Sequence, residues 1–493
     1  MEILLVYDRS EADVATLLES ELGRAFLEKG ETLTVTTSGN EENARGHLPR
    51  NVSLVITALH IRKGPTGPLA LEDEEGIELL RWMYINKMNT PAILVAPTYT
   101  DKLRSAQPQL GNCYVVLSSA NMVQEIVARA MQLAYEKPAK YLDVEFRMRS
   151  RTEWGYKLVG QGGFLHEHEL TVDSSTVDDL VTYSEVIPVA PNWQEVLQKI
   201  GRKLLEAISR DQAFPYDMAE GLSQAGGETN ARVRFVVKPE MHSVMLEAVS
   251  CPRTRDRYWM LSAPVYRRLL VDEPASGAFL FEGGQPINCL IIDATTSGWF
   301  DDLSLVLPKL KSASGECDWV ENWLKSMQGS FNIGEVRLLR AKPGEPPLAQ
   351  RVKEALESHD WGIVHYAGHS YAKNDAGYVF FPGATEATVD RVDLKRFSDW
   401  LRRVTFTYFS SCDSGAGPFV FGLANRRVSN ILAFRWEIDD ALAFEYSKEF
   451  YQHLFKGRSL ERAFLKARQQ MHELHPDDRI WAAPILIKQL GDS

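Results

Sequence analysis

Short apolar runs alternate with stretches of helical periodicity through the first 136 residues. Apolar residues recur at helical spacing in three stretches: 10–30, 74–84 and 121–136. Four short apolar runs, typical of strands, lie at 2–6, 53–58, 90–97 and 113–118. Alternating strands and helices predict a parallel sheet covered by helices on both faces.

The pattern changes in the segment 137–285, which we interpret as strand-rich. Apolar and polar residues alternate over much of 141–190, and ARVRFVVKP (231–239) and SVMLEAV (243–249) are further predicted strands. An amphipathic helix is predicted over 193–209. EPASG (273–277) and EGGQP (282–286) have the composition of a linker or loop before the last domain.

From residue 286 to 493 the alternation of strands and helices returns. Predicted strands include 287–293, 335–340, 361–369, 404–412 and 430–434. The sequence therefore predicts an α/β fold in three segments: 1–136, a strand-rich middle region 137–285, and 286–493.

Composition and charge exclude several classes of function. The chain has 493 residues, 44% of them hydrophobic, and a formal net charge of −11. That charge gives no electrostatic basis for direct binding of nucleic acid. No apolar run reaches the roughly 18 residues that a membrane span needs, and the first residues carry acids where a signal peptide has a basic region. We therefore expect a cytoplasmic protein with no membrane contact.

The five cysteines are scattered without CxxC pairs. In a reducing compartment they are expected to be thiols rather than disulfides or zinc ligands. HEHE (166–169) contains potential metal ligands, but its alternation favours the solvent-facing side of a strand. No metal and no cofactor are expected.

Two predicted strands end in residues that can do chemistry, in HYAGHS (365–370) and SSCDSG (410–415). Right-handed crossovers would make the two strands parallel and bring their carboxyl ends to one edge of the sheet. His369 would then face Cys412, 43 residues further on. This is the arrangement of caspase-type peptidases.

The chemistry of such a pair follows from its thiol. An imidazole can take the thiol proton and later return one to the leaving amine. The backbone N–H groups of Ser370 and Cys412 are candidates for the oxyanion hole. His365 is interpreted as a packed histidine inside the strand.

These residues resemble the CHAT family, a branch of the caspase and separase-like peptidases. The resemblance rests on the two motifs above and on a third block, ILAFRWEIDDALAFEYSKEFYQHLFKGRSLERAFLKAR (431–468). One departure is Ser370, where many relatives have glycine. The family has a caspase-like, mostly parallel sheet with helices on both faces, and the middle region resembles the first half of that module.

The resemblance implies a cysteine endopeptidase acting on a protein substrate, with His369 as base and Cys412 as nucleophile. It further implies activation by a partner protein or signal in a bacterial stress or phage-defence response. By analogy four residues would line the pocket for the residue before the cut: Asp413, Trp436, Glu437 and Asp440. Acids there favour a basic residue.

Segment 1–136 resembles the receiver domain of bacterial response regulators, with a flavodoxin-like fold. Receivers usually have a pair of acids after the first strand, where this chain has Tyr7 and Asp8. The position of the phosphoacceptor falls at Ala58, and that of a conserved lysine falls near Ser118. Alanine cannot form an acyl phosphate, so we expect no phosphotransfer. Docking, a homo-oligomer through this domain, or a purely structural role remain alternatives.

The main rival hypothesis is a binding module. The caspase-like domain would then be a catalytically silent scaffold, and the chain an adaptor that acts by protein–protein interaction. The loss of receiver chemistry favours this alternative, whereas the intact His369 and Cys412 motifs oppose it.

Overall fold

A computed structural model gives the three-dimensional structure. It describes residues 2–8, 11–27, 32–48, 52–61, 63, 74–85, 90, 92–97, 113–117, 122–135, 142–160, 163–210, 213–225, 227–252, 257–271, 286–300, 303, 305–328, 333–373, 376–383, 385, 388–457 and 459–489. The chain divides into two compact units, the first covering residues 1–140 and the second 141–281 and 286–491.

The first unit is a five-stranded parallel sheet with helices. Its strands are Glu2–Val6 (β1), Thr34–Ser38 (β2), Leu54–Ala58 (β3), Ala92–Ala96 (β4) and Cys113–Leu117 (β5). Its helices are Ala12–Leu27 (α1), Glu41–His47 (α2), Glu75–Ile85 (α3) and Met122–Tyr135 (α4). The strand order is β2-β1-β3-β4-β5 and every pairing is parallel. This is the flavodoxin-like order expected from the sequence.

The core of this unit explains its sequence pattern. Every residue of β3 and β4 is buried, as in strands that helices cover on both sides. Helix α1 buries Leu18, Leu22 and Phe26 at intervals of four residues, which places them on one face.

The second unit is built on an 11-stranded sheet. Its strands are Leu142–Met148 (β6), Glu153–Gly160 (β7), Gly163–Thr171 (β8), Ala231–Val237 (β9), Val265–Leu269 (β10), Ile287–Ala294 (β11), Ile333–Arg340 (β14), Ile363–Gly368 (β15), Phe406–Ser410 (β19), Asn430–Phe434 (β20) and Pro484–Lys488 (β21). Two smaller sheets are formed by Gly298–Phe300 (β12) with Leu305–Leu307 (β13), and by Ser370–Lys373 (β16), Ala376–Pro382 (β17) and Val389–Asp393 (β18).

Nine α-helices are described in this unit. They are Ser174–Val186 (α5), Trp193–Ile208 (α6), Ala213–Ala225 (α7), Ala313–Met327 (α8), Leu348–Ser358 (α9), Leu394–Trp400 (α10), Gly417–Ala424 (α11), Asp440–Gly457 (α12) and Leu460–Leu474 (α13). Among the described residues, no helix is long and apolar enough to cross a membrane.

The large sheet joins the middle region to the C-terminal region. Its order is β14-β11-β15-β19-β20-β21-β10-β9-β6-β7-β8. The pairings from β14 to β20 and from β21 to β6 are parallel, and those of β20 with β21, β6 with β7 and β7 with β8 are antiparallel. One hydrophobic core runs through both halves. The mostly parallel caspase-like sheet expected from the sequence is confirmed.

Two local expectations for the middle region were wrong. Residues 174–186 form helix α5 rather than a strand, and Val177, Leu180 and Ser184 are buried at helical spacing. SVMLEAV (243–249) forms a buried irregular segment with one 3₁₀ turn, Leu246–Ala248, rather than a strand. The hydroxyl of Ser184 accepts a hydrogen bond from the Met245 N–H, so this segment finds a partner outside any sheet.

Candidate active site

The structure places the two motif-bearing strands side by side. Strand β15 pairs with β19 in parallel, with Ala367 opposite Ser410. His369 and Cys412 each follow two residues after that pair, so both lie at the carboxyl edge of the sheet. Ligands of open parallel sheets gather at this edge.

Backbone and side-chain contacts position His369. The Tyr366 hydroxyl lies 2.8 Å from the carbonyl oxygen of His369, in the buried part of the motif. Gly368 is required between them, because a Cβ atom there would lie 2.9 Å from that of Ala294. Nε2 of His369 lies 2.8 Å from the carbonyl oxygen of Pro308, directly after β13. An N–H at Nε2 donates to this carbonyl, which favours the tautomer with its lone pair on Nδ1.

His369 is suited to act as a base. Burial lowers the pKa of His369, and the carbonyls of Pro308 and Thr296 and the charge of Glu437 oppose this only in part. The imidazole is therefore neutral at pH 7 and can accept a proton.

Cys412 is a protonated thiol in this arrangement. The pKa of Cys412 is raised to about 11, mainly by burial and to a lesser extent by the carboxylates of Glu437 and Asp413. Sγ lies 4.0 Å from the carbonyl oxygen of Ile438, a weak S–H contact. Among the described hydrogen bonds, none joins Cys412 to His369. Catalytic hydrogen bonds often form only once substrate is bound.

A tight turn presents the Cys412 side chain. Asp413 has a φ of 55°, in the left-handed region that Asp tolerates better than most residues. The Ser414 hydroxyl donates to the Ser411 carbonyl oxygen at 2.7 Å and accepts from the Phe434 N–H at 3.1 Å. Gly415 donates its N–H to the Phe434 carbonyl oxygen at 2.7 Å. These contacts explain why the motif contains two small polar residues and a glycine after the thiol.

His242, from the middle region of the chain, contacts this turn. Nε2 of His242 lies 2.9 Å from the carbonyl oxygen of Gly415. Burial, with the charges of Arg267 and Arg435, holds the pKa of His242 well below its usual value, so the ring is a neutral donor. Arg267 donates to the His242 carbonyl oxygen at 2.7 Å and to both oxygens of Glu247 at 2.8 and 2.9 Å.

The backbone N–H of Ser370 points away from the neighbouring strand β17, and its role as an oxyanion donor stays a prediction. The Phe380 N–H donates to the His369 carbonyl oxygen at 3.2 Å, which makes 369 and 380 a hydrogen-bonded pair. The next pair, Ser370 with Val379, is then a non-hydrogen-bonded pair. The N–H groups of these two residues therefore point away from each other's strand. The Ser370 side chain donates to Ser411 Oγ at 3.0 Å and contacts the Cys412 carbonyl oxygen.

The four predicted pocket residues lie in different surroundings. Glu437 is exposed, and its charge acts on Cys412, Asp413 and His369. Trp436 is buried, and its Nε1–H has no hydrogen-bond partner among the described residues. Asp440 accepts the Ser312 N–H at 2.7 Å and the Lys311 N–H at 2.5 Å, so it anchors the segment that follows Pro308. Their pocket roles stay predictions.

His365 lies inside the strand and is fully buried. Its Nε2 is 3.2 Å from Glu316 Oε1, and its Nδ1 is 3.2 Å from the Tyr451 hydroxyl. The other oxygen of Glu316 accepts the Ser410 hydroxyl at 3.0 Å. This buried cluster therefore links the middle of β15 and the last residue of β19 to Glu316 of helix α8.

The receiver-like unit lacks the acid that a phosphoacceptor site needs. Asp8 is buried two residues after the end of β1, and Ala58 is the last residue of β3. Burial and the charge of Asp8 raise the pKa of Glu11 nearby. Ser118 lies outside the described residues.

Two contributors to the site could not be identified from the sequence. The Pro308 carbonyl acts through its backbone, so no side-chain motif marks it. His242 lies 170 residues before Cys412, between two stretches that we predicted to be strands, 231–239 and 243–249. The run KPEMHS (238–243) has no periodic pattern of apolar residues that would place it beside the turn after Cys412.

One comparison with known proteins identifies a family. A family profile described as the CHAT domain matches residues 194–489. No curated protein matches the chain.

Several solved structures are similar to the N-terminal part. The receiver domain of a Francisella response regulator is 15% identical, with 27% of this chain and 96% of that chain covered and a TM-score of 0.20. The receiver domain of an HD-domain-containing protein from Pseudomonas fluorescens is 24% identical, with 28% and 98% covered and a TM-score of 0.22. That of a putative Luxo repressor protein from Vibrio parahaemolyticus is 19% identical, with 28% and 92% covered and a TM-score of 0.21.

Proposed function

We propose, since the chain belongs to the CHAT-domain family, that it is a cysteine endopeptidase that cleaves a protein substrate through Cys412 and His369. One observation carries this proposal. The pairing of Ala367 with Ser410 sets His369 and Cys412 at the same level of adjacent parallel strands. CHAT domains belong to the caspase-like clan, which makes a hydrolase the expected activity.

The proposed reaction begins with proton transfer from Cys412 Sγ to Nδ1 of His369. The thiolate attacks the carbonyl carbon of the scissile peptide, and the N–H groups of Ser370 and Cys412 stabilise the oxyanion. The imidazolium then gives its proton to the leaving amine as the C–N bond breaks. Water, deprotonated by His369, hydrolyses the thioester and regenerates the thiol. The Pro308 carbonyl holds the ring in place and stabilises its charged form.

The negative charge beside the Cys412 thiol supports a preference for substrates with a basic residue before the cut. Asp413 and Glu437 are the carboxylates whose fields reach Cys412. A lysine or arginine side chain between them would relieve their mutual repulsion, which together with burial raises the pKa of Asp413. A neutral or acidic substrate residue would leave the repulsion between the two carboxylates in place.

The state of the dyad supports activation by a partner protein or signal. A thiol with a pKa of about 11 that makes no hydrogen bond to His369 among the described contacts is weakly nucleophilic at pH 7. Binding that shifts the 436–440 segment toward the substrate would change the surroundings of Cys412. We extend the proposal to a bacterial stress or phage-defence response, as the family resemblance implies.

The same observation favours a second candidate, a catalytically silent adaptor. A thiol that stays protonated in every state would leave the caspase-like unit a scaffold for protein–protein interaction.

Mapping of new protein N-termini distinguishes the two functions. The chain, its Cys412→Ala and His369→Ala variants and a His359→Gln control are expressed in bacteria, with and without genes neighbouring its own. His359 is a half-exposed histidine beside Glu335, before the start of β15. New termini in the parent and the control but in neither dyad variant support the peptidase. New termini that persist in Cys412→Ala would contradict the peptidase proposal. The absence of new termini under every condition would favour the adaptor.

A further inference from the structure

The HEHE segment lies on β8, the outermost strand of the large sheet. Its alternation is as expected, with Glu167 and Glu169 exposed on one face. The other face is not the solvent-facing side. There His166 and His168 are half-buried beside helix α7, which contributes Asp217.

The three side chains have the spacing of metal ligands. Nδ1 of His166 lies 3.3 Å from Asp217 Oδ1, and Nε2 of His168 lies 3.4 Å from Asp217 Oδ2. One ligand atom from each residue can be chosen so that all lie within 4.8 Å of one another. Two ligands at the usual zinc distances are roughly 3.3–3.4 Å apart when the ion is tetrahedral. The cluster therefore needs only small side-chain movements to close around an ion.

Neighbouring side chains hold these ligands as in known metal sites. The Tyr156 hydroxyl donates to Asp217 Oδ2 at 3.0 Å, and its ring stacks on that of His168 with centroids 5.2 Å apart. Glu220 follows Asp217 by one helical turn, and its Oε2 lies 3.7 Å from Nε2 of His166. A ligating histidine usually gives its second N–H to a carboxylate, which fixes the tautomer.

We propose that His166, His168 and Asp217 bind a divalent transition metal ion, with zinc the best fit. Two imidazoles and one carboxylate select zinc over calcium or magnesium, which prefer oxygen ligands. Water occupies the fourth position, and Glu220 accepts the Nε2–H of His166. The bound ion fastens β8 to α7 and so secures the open edge of the sheet. This replaces the sequence-based expectation that HEHE binds no metal, and it does not depend on the peptidase proposal.

Metal titration of the full chain tests the site. The Cys412→Ala background removes the half-exposed thiol as a competing ligand. After chelator treatment, cobalt is added and its tetrahedral visible absorption is followed, and zinc is then used to displace it. We expect one equivalent to bind, with affinity reduced roughly 100-fold or more in His166→Gln/His168→Gln and about tenfold in Glu220→Gln. His359→Gln should bind as the parent does, since His359 faces one carboxylate, 3.9 Å away.

Thermal melting provides a readout independent of absorption. Zinc should raise the melting temperature of the parent and of His359→Gln but not of the double variant. The metal-free melting temperatures of all chains should agree, because both histidines are partly exposed. If the double variant fails to fold, Asp217→Asn takes its place. No stoichiometric binding by the parent, or binding unchanged in the double variant or in Asp217→Asn, overturns the proposal.

Discussion

At the scale of the residue, the protonation of Cys412 determines what the dyad can do. A thiol with a pKa of about 11 is ionised to only about one part in 10⁴ at pH 7, against a few per cent for an ordinary cysteine. We expect alkylation of Cys412 by iodoacetamide to accelerate about tenfold per pH unit from pH 7 to 10, without a plateau. Mass spectrometry of the modified peptide measures this rate.

His369→Ala is the control for this pH profile. Because no described hydrogen bond joins the two residues, removing the imidazole should leave the profile of the partner-free chain unchanged. A plateau near neutral pH that disappears in His369→Ala would instead reveal a preformed ion pair. Cys251, Cys289 and Cys317 are fully buried and should react more slowly than Cys412 in either case.

Asp413 and Glu437 are predicted to determine the preference for a basic substrate residue before the cut. We expect Asp413→Asn/Glu437→Gln to lower kcat/KM for substrates with arginine before the cut by roughly 10–100-fold, the worth of one or two charge interactions in a half-buried site. Substrates with a neutral residue there should lose little. Since the pKa of Asp413 is raised, the preference for arginine should weaken as the pH falls toward that pKa. Equal losses on both substrates would contradict a specificity role.

At the scale of the element, the turn after β19 depends on Gly415. A Cβ atom at this position would lie 2.9 Å from the carbonyl carbon and oxygen of Phe434. Backbone cannot yield as a side chain can, so Gly415→Ala should displace the turn that carries Cys412. We expect a stability loss of about 1–3 kcal/mol and an altered alkylation rate of Cys412.

Gly23→Ala is the matched control for that substitution. Gly23 lies within α1, and a Cβ there would meet nothing within 4 Å. The change should stabilise the helix by about 0.5–1 kcal/mol and leave Cys412 untouched. If Gly415→Ala were as harmless as Gly23→Ala, the turn would not constrain the thiol.

The elements also show how far the sequence predicts the structure. Strands β15 and β19 are mostly apolar runs, so their existence, direction and reactive ends could be predicted. Helix α5 could not, because the alternation before it continues into its first residues and hides the helical spacing of Val177 and Leu180. The Pro308 carbonyl and the position of His242 under Gly415 depend on long-range packing, which no local pattern encodes. The same holds for Asp217, which is 49 residues from His168.

At the scale of the whole molecule, the residues that the structure describes form two separate hydrophobic cores. Each core belongs to one compact unit, so calorimetry should show two unfolding transitions. Substitutions confined to one core should then move only one of them. Gly23→Ala should raise the transition of the first unit by roughly 2–3 °C.

Glu247 provides the corresponding test for the second unit. It is fully buried, and its oxygens accept hydrogen bonds from Arg267 and, at 2.7 Å, from Arg435. Burial alone would raise the pKa of Glu247, but the charges of these arginines hold this pKa well below its usual range. Glu247→Gln leaves two buried guanidinium groups without their counter-charge, which should cost about 3–5 kcal/mol. That corresponds to roughly 4–7 °C in the melting temperature of a unit of this size.

The pH dependence identifies the charge as the cause. A carboxyl group with a lowered pKa stabilises the fold above its unfolded pKa of roughly 4.3 and loses that contribution as the pH falls toward its folded value. The difference between the parent and Glu247→Gln should therefore be constant from pH 5 to 8 and shrink in more acidic solution. Because Arg267 belongs to β10 and Arg435 follows β20, the loss should lower a single transition that comprises both halves of the large sheet. Two separate transitions for residues 141–281 and 286–491, only one of them shifted, would show that the continuous sheet does not unfold as one cooperative unit.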